Sequence, residues 1–416
     1  MGISETDDQA KNAADGVGPK LSVIIPAYNE ESGITAILDR VLSIRPELAS
    51  MGIAGPEVIV VDDGSRDQTR AIVSRYPNVR LICHEQNRGY GGALKTGFSH
   101  ATGNLLAFLD ADGTYPPEHF PELCRAALDG ADLVIGSRMA GAKSEMPRTR
   151  RLGNLIFARL VSLIGNQHVS DSASGMRVFK RGVLEQLYPL PDGLNFTPVM
   201  SIRAIHEGLK MAEVPIPYSE RQGRSKLNIV QDGMRFFNSI MWTALSYNPV
   251  RILGLLGLAG VGFAVLVAVV LVVLRLSGVT QLGPWGIFAV PTALVAGVTG
   301  VSLFSLGAMF NYLVSLFQKK PIQRGLFGKP IFDPPLDRQF WWMGGLMVLG
   351  GTIVGIGTLV LGLNGWAIER LWLWMIASAM AALIGVQLIV AWIVMRVLEE
   401  LSQREFKAGQ DLVSKR

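Results

Sequence analysis

The sequence predicts an α/β domain on a doubly wound, mixed but mostly parallel sheet, followed by a bundle of four transmembrane helices. Three observations predict it. Residues 21–140 alternate short β-branched runs with segments of helical spacing, the pattern of repeated strand–helix units. Unusual polar clusters close those runs at one end only. Beyond Asn248, four stretches carry no charge over the roughly 20 residues needed to cross a bilayer.

The elements follow in order. "LSVIIPAY" from Leu21 reads as a buried strand, and "NEESGITAILDRVLS" follows with helical periodicity. "PEVIVVDDGS" from Pro56 is a second strand and "RDQTRAIVSRY" from Arg66 a second helix. "VRLICHEQ" from Val79 leads through "NRGYGGALKTGF" into a third helix. "GNLLAFLDAD" from Gly103 is the fourth strand, and "ADLVIGSR" from Ala131 the fifth. The glycine-rich turn matches neither a dinucleotide fingerprint nor a P-loop. Gly89, Gly91 and Gly92 are read instead as room for a close backbone approach at a helix start. Asn29-Glu30, Asp62-Asp63, Asp110/Asp112 and Ser137-Arg138 all fall at carboxyl ends of predicted strands. Ligands of open α/β sheets bind at that edge.

In "FLDADGTYPPE", Asp110 and Asp112 leave the fourth strand on one side if strand alternation continues through them. Two such carboxylates repel unless a cation lies between them. A solvated turn and a ligand pair for Mg²⁺ or Mn²⁺ both fit so short a motif.

Charged residues make up 18% of the 416, against ~25% in an average soluble protein. The first 20 residues have no apolar core and are expected to form a disordered cytoplasmic tail. The spans are placed at about 252–274, 284–317, 340–363 and 371–395, within a membrane section 249–398 that a tail of 399–416 follows. Residues 318–339 hold Lys319, Lys320, Arg324, Lys329 and Arg338 against two acids, whereas the connections 277–283 and 363–370 hold one Arg between them. The positive-inside rule therefore puts both termini and the N-terminal domain in the cytoplasm. Cys83 and Cys124 suit a reducing compartment and show no metal-site spacing. The net charge of +5 suits membrane lipids with anionic headgroups, and no patch of nucleic-acid type is present.

Taken together, "PAYNE", "VDDGSRDQT", "NRGYGGALKTG", "DADGTYPPE", "GSR", "DSASGMR" and "RQGRSKLN" resemble the inverting family-2 glycosyltransferases of GT-A fold. Within them the chain is most similar to polyprenyl-phosphate sugar synthases such as dolichyl-phosphate mannose synthase. The resemblance covers about residues 21–230 and implies a nucleotide sugar donor of GDP-mannose or UDP-glucose type. It implies that Pro26, Tyr28, Glu30, Val61 and Asp63 hold base and ribose. Asp110, Ala111 and Asp112 would hold Mg²⁺ or Mn²⁺ and the donor diphosphate, and Arg221 and Lys226 would close over it. Thr114 stands where family members often have Gln, and the loop from Arg221 to Lys226 is one residue shorter than in the eukaryotic synthases. The Q-x-x-R-W motif of processive members is absent, which implies one sugar per turnover.

An alcohol acceptor needs a general base. A lipid phosphate is already ionised, and its obstacle is repulsion by the donor diphosphate. Each pair of unit charges at ~5 Å and an effective dielectric near 20 costs on the order of 3 kcal/mol. Positive charge should therefore line the acceptor site. Arg138, Arg151, Ser174 and Arg177 are the candidate acceptor-phosphate contacts, and Asp110, Asp112, Arg138 and Asp171 the candidate catalytic residues. Arg177 is read equally as a phosphate ligand or as the partner of Asp171. In "PRTRRLGNLIFARL", Leu152, Leu155, Ile156 and Leu160 share a helical face opposite Arg148, Arg150, Arg151 and Arg159, as in an interfacial helix. A second such helix is expected over 228–248, which places the catalytic domain at 21–227. The five histidines are read as surface or structural residues.

Two other readings compete. One keeps the fold and changes the acceptor to a neutral membrane hydroxyl, with Asp171 as base. The other is a catalytically silent sugar-nucleotide-binding membrane protein. Which sugar, base and polyprenyl chain are used, and whether the spans drive homo-oligomerisation, does not follow from the residues.

Overall fold

The structure is a computed structural model that describes residues 18–141, 146–165, 167–219, 229–279, 283–318 and 335–413. Two compact units divide the chain, Met1–Thr243 and Ala244–Arg416.

The first unit is built on β1 (Lys20–Ala27), β2 (Ala54–Asp62), β3 (Val79–Cys83), β4 (Leu105–Phe108), β5 (Leu133–Ser137), β6 (Arg177–Lys180) and β7 (Met211–Pro215). They form one sheet in the order β3-β2-β1-β4-β6-β5-β7. The β1–β2, β1–β4, β2–β3 and β5–β7 pairs are parallel, whereas β6 runs antiparallel to both β4 and β5. Helices cover both faces, so the central strands are buried throughout, as parallel sheets require.

Strand alternation divides the core. Val23, Ile25, Val58 and Val60 face one side, where α1 (Ile34–Ser43) packs Ile34, Ile37, Leu38 and Val41 and α2 (Thr69–Val73) packs Val73. That spacing of three and four residues puts one stripe of α1 onto the sheet. Ile24, Ile59 and Val61 face the other side. There α3 (Tyr90–His100) contributes Leu94 and Phe98, and α6 (Phe196–His206) contributes Phe196 and Met200. On the first face α4 (Phe120–Leu128) adds Phe120, Leu123 and Cys124. Between them in sequence lies α5 (Arg148–Gly165), and the unit runs out along α7 (Ile229–Tyr247).

Two expectations about the sheet need correction. The fourth strand stops at Phe108, so Asp110 and Asp112 lie on the following turn, which Gly113 reverses at φ 78°. Strand alternation does not place them. The sequence reading also lacked β6 and β7. At four residues, "RVFK" is too short and too charged to show a period. Its reversed direction matters, because Arg177 pairs with Phe108 and with Ile135. The loop that enters β6 therefore arrives at the edge where the parallel strands end.

The second unit holds α8 (Pro249–Leu276), α9 (Pro284–Gln318), α10 (Leu336–Leu363) and α11 (Ile368–Val413). Each is long and apolar enough to cross a membrane. Glycines seat the helices in pairs: Gly257 and Gly260 lie against Gly300 and Ala296, and Gly344 lies against Gly385. Such contacts are how helices associate where lipid removes the hydrophobic drive.

A close approach also fixes the glycine-rich turn. A Cβ on Gly91 would overlap the Pro191 carbonyl and the Phe196 ring, whereas one on Gly153 in α5 would meet nothing. Gly91→Ala should therefore cost roughly 1–3 kcal/mol of stability. Gly153→Ala should be neutral or stabilising by about 0.5–1 kcal/mol. Thermal unfolding of the two variants against the parent checks the contrast.

Candidate active site

The carboxyl edge of the sheet gathers the site loop by loop. After β1, Asn29 adopts a left-handed φ of 52°, which asparagine tolerates. Its amide donates to Ser65 Oγ at 2.9 Å, and its Oδ1 accepts the Arg66 amide at 2.8 Å. The Glu30 amide donates to Thr69 Oγ1 at 2.9 Å. Pro26 lies at the end of β1, paired with Val61 of β2, and Tyr28 and Glu30 stand on a loop stitched to the one that follows β2. Val61 is wholly buried in the core, so its main chain is what it can offer a ligand.

Asp63 pins the glycine-rich turn. Its Oδ1 accepts the Arg88 amide at 2.8 Å, and its Oδ2 accepts the Gly89 amide at 2.9 Å. His84 Nδ1 lies 2.7 Å from Oδ1, and its Nε2 lies 2.9 Å from Thr96 Oγ1. This histidine is a buried brace. The first amides of α3 at Gly91 and Gly92 meet the Asp192 carbonyl, so the chain itself caps that helix.

Each carboxylate of the Asp110–Asp112 turn has a hydroxyl donor. The Tyr90 phenol donates to Asp110 Oδ1 at 2.8 Å, and Asp112 Oδ1 accepts the Thr114 hydroxyl at 2.6 Å and its amide at 3.1 Å. Burial, and then the charge of Asp110, hold the Tyr90 pKa well above the usual phenol range, so it keeps its proton. Ala111 between them is buried. The Gly175 Cα lies so close to the Asp110 carboxylate that any Cβ there would overlap it.

Arg138 and Asp171 form a buried pair. Arg138 Nε donates to Asp171 Oδ2 at 2.7 Å and Nη2 to Oδ1 at 2.8 Å, while the Arg138 amide also donates to Oδ2 at 3.0 Å. The guanidinium lies 5.6 Å from the Tyr115 ring centroid and 5.5 Å from that of Tyr218, within cation–π range. Burial works to raise the Asp171 pKa, but the attraction and hydrogen bonds of Arg138 outweigh it. The carboxyl is held below its ordinary range. Glu213 of β7 fixes the preceding turn by accepting the Ser170 amide at 2.8 Å and the Ser170 hydroxyl at 2.6 Å.

The partner of Asp171 is therefore Arg138. Arg177, fully buried, donates from Nη2 to the Ser172 carbonyl at 2.7 Å and from Nε to that of Ser174 at 3.2 Å. Among the described residues, its Nη1 has no partner within hydrogen-bond reach. Burial lowers its pKa to about 10. Ser174 spends its hydroxyl on the Gly136 carbonyl at 2.6 Å. Arg138, Asp171, Ser174 and Arg177 thus share one corner of the edge, whereas Arg151 is exposed on α5. Arg221 and Lys226 lie outside the described residues. Tyr90, Tyr115, Tyr218 and Glu213 were not anticipated, because their partners lie 20 or more residues away in sequence.

Among the described residues, no cluster of three or more His, Cys, Asp or Glu could hold a metal ion. The carboxylate pair supplies two hard oxygen donors, which suits Mg²⁺ or Mn²⁺ when substrate phosphates complete the shell.

Residues 22–188 match the glycosyl transferase family 2 profile, and residues 249–409 match a domain of unknown function, DUF8752. The chain is 33% identical to the dolichyl-phosphate hexose transferase of Haloferax volcanii, over 54% of this chain and 94% of that protein. The chain belongs to glycosyl transferase family 2. The glycosyltransferase is also 28% identical to an undecaprenyl-phosphate 4-deoxy-4-formamido-L-arabinose transferase of Enterobacter, over 72% of this chain and 89% of the relative. A solved glucosyl-3-phosphoglycerate synthase from Mycobacterium tuberculosis matches 59% of this chain and 83% of its own at 24% identity, with a TM-score of 0.44.

The buried pair makes a stability prediction for this glycosyltransferase. Arg138→Ala or Asp171→Asn strands one charged partner in the interior, at a cost of roughly 3–5 kcal/mol. The double variant Arg138→Met/Asp171→Leu should recover most of that loss. Thermal unfolding of the three variants against the parent checks the contrast.

Proposed function

We propose that the enzyme transfers one sugar from a nucleoside-diphosphate sugar to a polyprenyl phosphate at the cytoplasmic membrane face, with inversion at the anomeric carbon. The observation that carries this reading is the commitment of Asp171. Both its oxygens are bound by Arg138 and its pKa is depressed, so it is a poor proton acceptor. An acceptor that arrives ionised needs no base, and a phosphate monoester meets that condition. The names of the relatives from Haloferax volcanii and Enterobacter support the same acceptor class.

In the proposed step a phosphate oxygen attacks the anomeric carbon, and the bond to the nucleoside diphosphate breaks on the opposite face. The electron pair leaves with the diphosphate. A divalent cation held by Asp110 and Asp112 would neutralise charge gathering on that leaving group. Pro26, Tyr28, Glu30, Val61 and Asp63 would hold base and ribose, and Ala111 would lie with Asp110 and Asp112 against the donor diphosphate, as the family resemblance implies. Arg221 and Lys226 would close over the diphosphate, as the family resemblance implies. Arg138, Ser174 and Arg177 shape the acceptor corner. The Nη1 of Arg177, without a partner among the described residues, gives that corner positive charge, and Arg151 adds charge on α5.

Membrane placement of the domain is supported by side chains within the first unit. Ala158, Val161 and Ile164 of α5 are buried, yet Leu152, Ile156 and Leu163 are 59%, 56% and 60% exposed. Helix α7 joins it through the Phe157 and Phe236 rings, 5.7 Å apart, and exposes Met234, Phe237 and Trp242. Apolar faces beside arginines suit a lipid surface.

Product formation with polyprenyl phosphate, compared with the matching free polyprenol and diacylglycerol, tests the acceptor. The phosphate should be favoured at least a hundred-fold. Equal use of the neutral lipids would move the enzyme to a hydroxyl acceptor and require another base.

A further inference from the structure

We infer that Tyr90 is a positioning residue for Asp110: its hydroxyl fixes the carboxylate's orientation and so sets the affinity for a divalent cation. The inference rests on reading Asp110 and Asp112 as the cation-holding pair.

The main chain of Tyr90 has little freedom. Gly89 before it adopts φ 87° with its amide on Asp63 Oδ2, and Gly91 after it donates to the Asp192 carbonyl at 2.7 Å. Its ring packs edge-on against Phe196, with centroids 6.4 Å apart. Phe196 belongs to the core beneath the sheet edge. The phenol oxygen is therefore delivered by a scaffold, 2.8 Å from Asp110 Oδ1.

Asp110 is not held by a strand, since it lies on a turn past the end of β4. Its carboxylate is held from outside, between the Tyr90 hydroxyl and the Gly175 Cα. Gly175 is itself fixed, because its amide donates to the Tyr115 hydroxyl at 2.7 Å. A phenol on a carboxylate is a charge-assisted hydrogen bond, among the stronger kinds. It also draws charge from one member of a carboxylate pair that would otherwise repel its neighbour without a cation. Thr114 performs the matching service for Asp112. Hydrogen-bond partners of metal-binding side chains typically contribute ten- to a hundred-fold to metal affinity.

The experiment is Mn²⁺ binding to the full chain in detergent, read by the electron paramagnetic resonance of free Mn²⁺, with UDP and with GDP. Tyr90→Phe, which keeps the ring against Phe196, should bind Mn²⁺ ten- to a hundred-fold more weakly, and excess Mn²⁺ should restore binding. Thermal unfolding of the same variant shows that the protein measured is folded. Wild-type Mn²⁺ affinity in folded Tyr90→Phe, beside a loss in Asp112→Asn, would overturn the role of Tyr90 alone. Wild-type affinity in Asp112→Asn as well would overturn the carboxylate-pair reading, and the inference with it.

Discussion

The buried pair of Arg138 and Asp171 is the constraint on which the site depends. Neither charge can remain in that interior without the other, since an uncompensated buried charge costs several kcal/mol. Their pairing ties the end of β5 to the loop that enters β6, 33 residues on. The tyrosine rings beside the guanidinium, Glu213 beneath Ser170, and Arg177 on the carbonyls of Ser172 and Ser174 all hold the same loop. That loop in turn sets Gly175 against Asp110. One ion pair thereby links the corner of Ser174 and Arg177 to the carboxylate turn.

The reversed strand makes this geometry available. In an all-parallel sheet the chain entering a strand comes from the edge opposite the ligand site. Because β6 runs against β4 and β5, its entering loop lies at the same edge as the loops that leave the other strands. The carboxyl edge thus gains a wall made of entering chain, beside the Asp110–Asp112 turn.

What was legible in the sequence follows from where the information sits. β1 and β2 were plain because burial on both faces writes an unbroken apolar run, and the helical stripe of α1 is as local. The Asp110–Asp112 pair was legible as a motif, although its strand ended two residues before the first of them. The spans were legible because lipid imposes composition over long windows. Arg138 was expected to face a phosphate, and its capture by Asp171 was hidden because nothing local couples residues 33 apart. The braces at Tyr90, Tyr115, Tyr218 and Glu213 were hidden for the same reason. Each looks like an ordinary core residue until the fold supplies its partner.

A site whose buried carboxylate is already committed should leave proton bookkeeping to the acceptor. The most direct measurement is the pH dependence of kcat/KM for the wild-type enzyme, first with polyprenyl phosphate and then with the phosphorothioate, whose second ionisation is lower. With the phosphate, the acid limb should fall near the acceptor's second ionisation, about 6. It should move down in pH with the phosphorothioate. An acid limb that stays in place when the acceptor's ionisation changes would show that an enzyme group supplies the base, and would contradict the account.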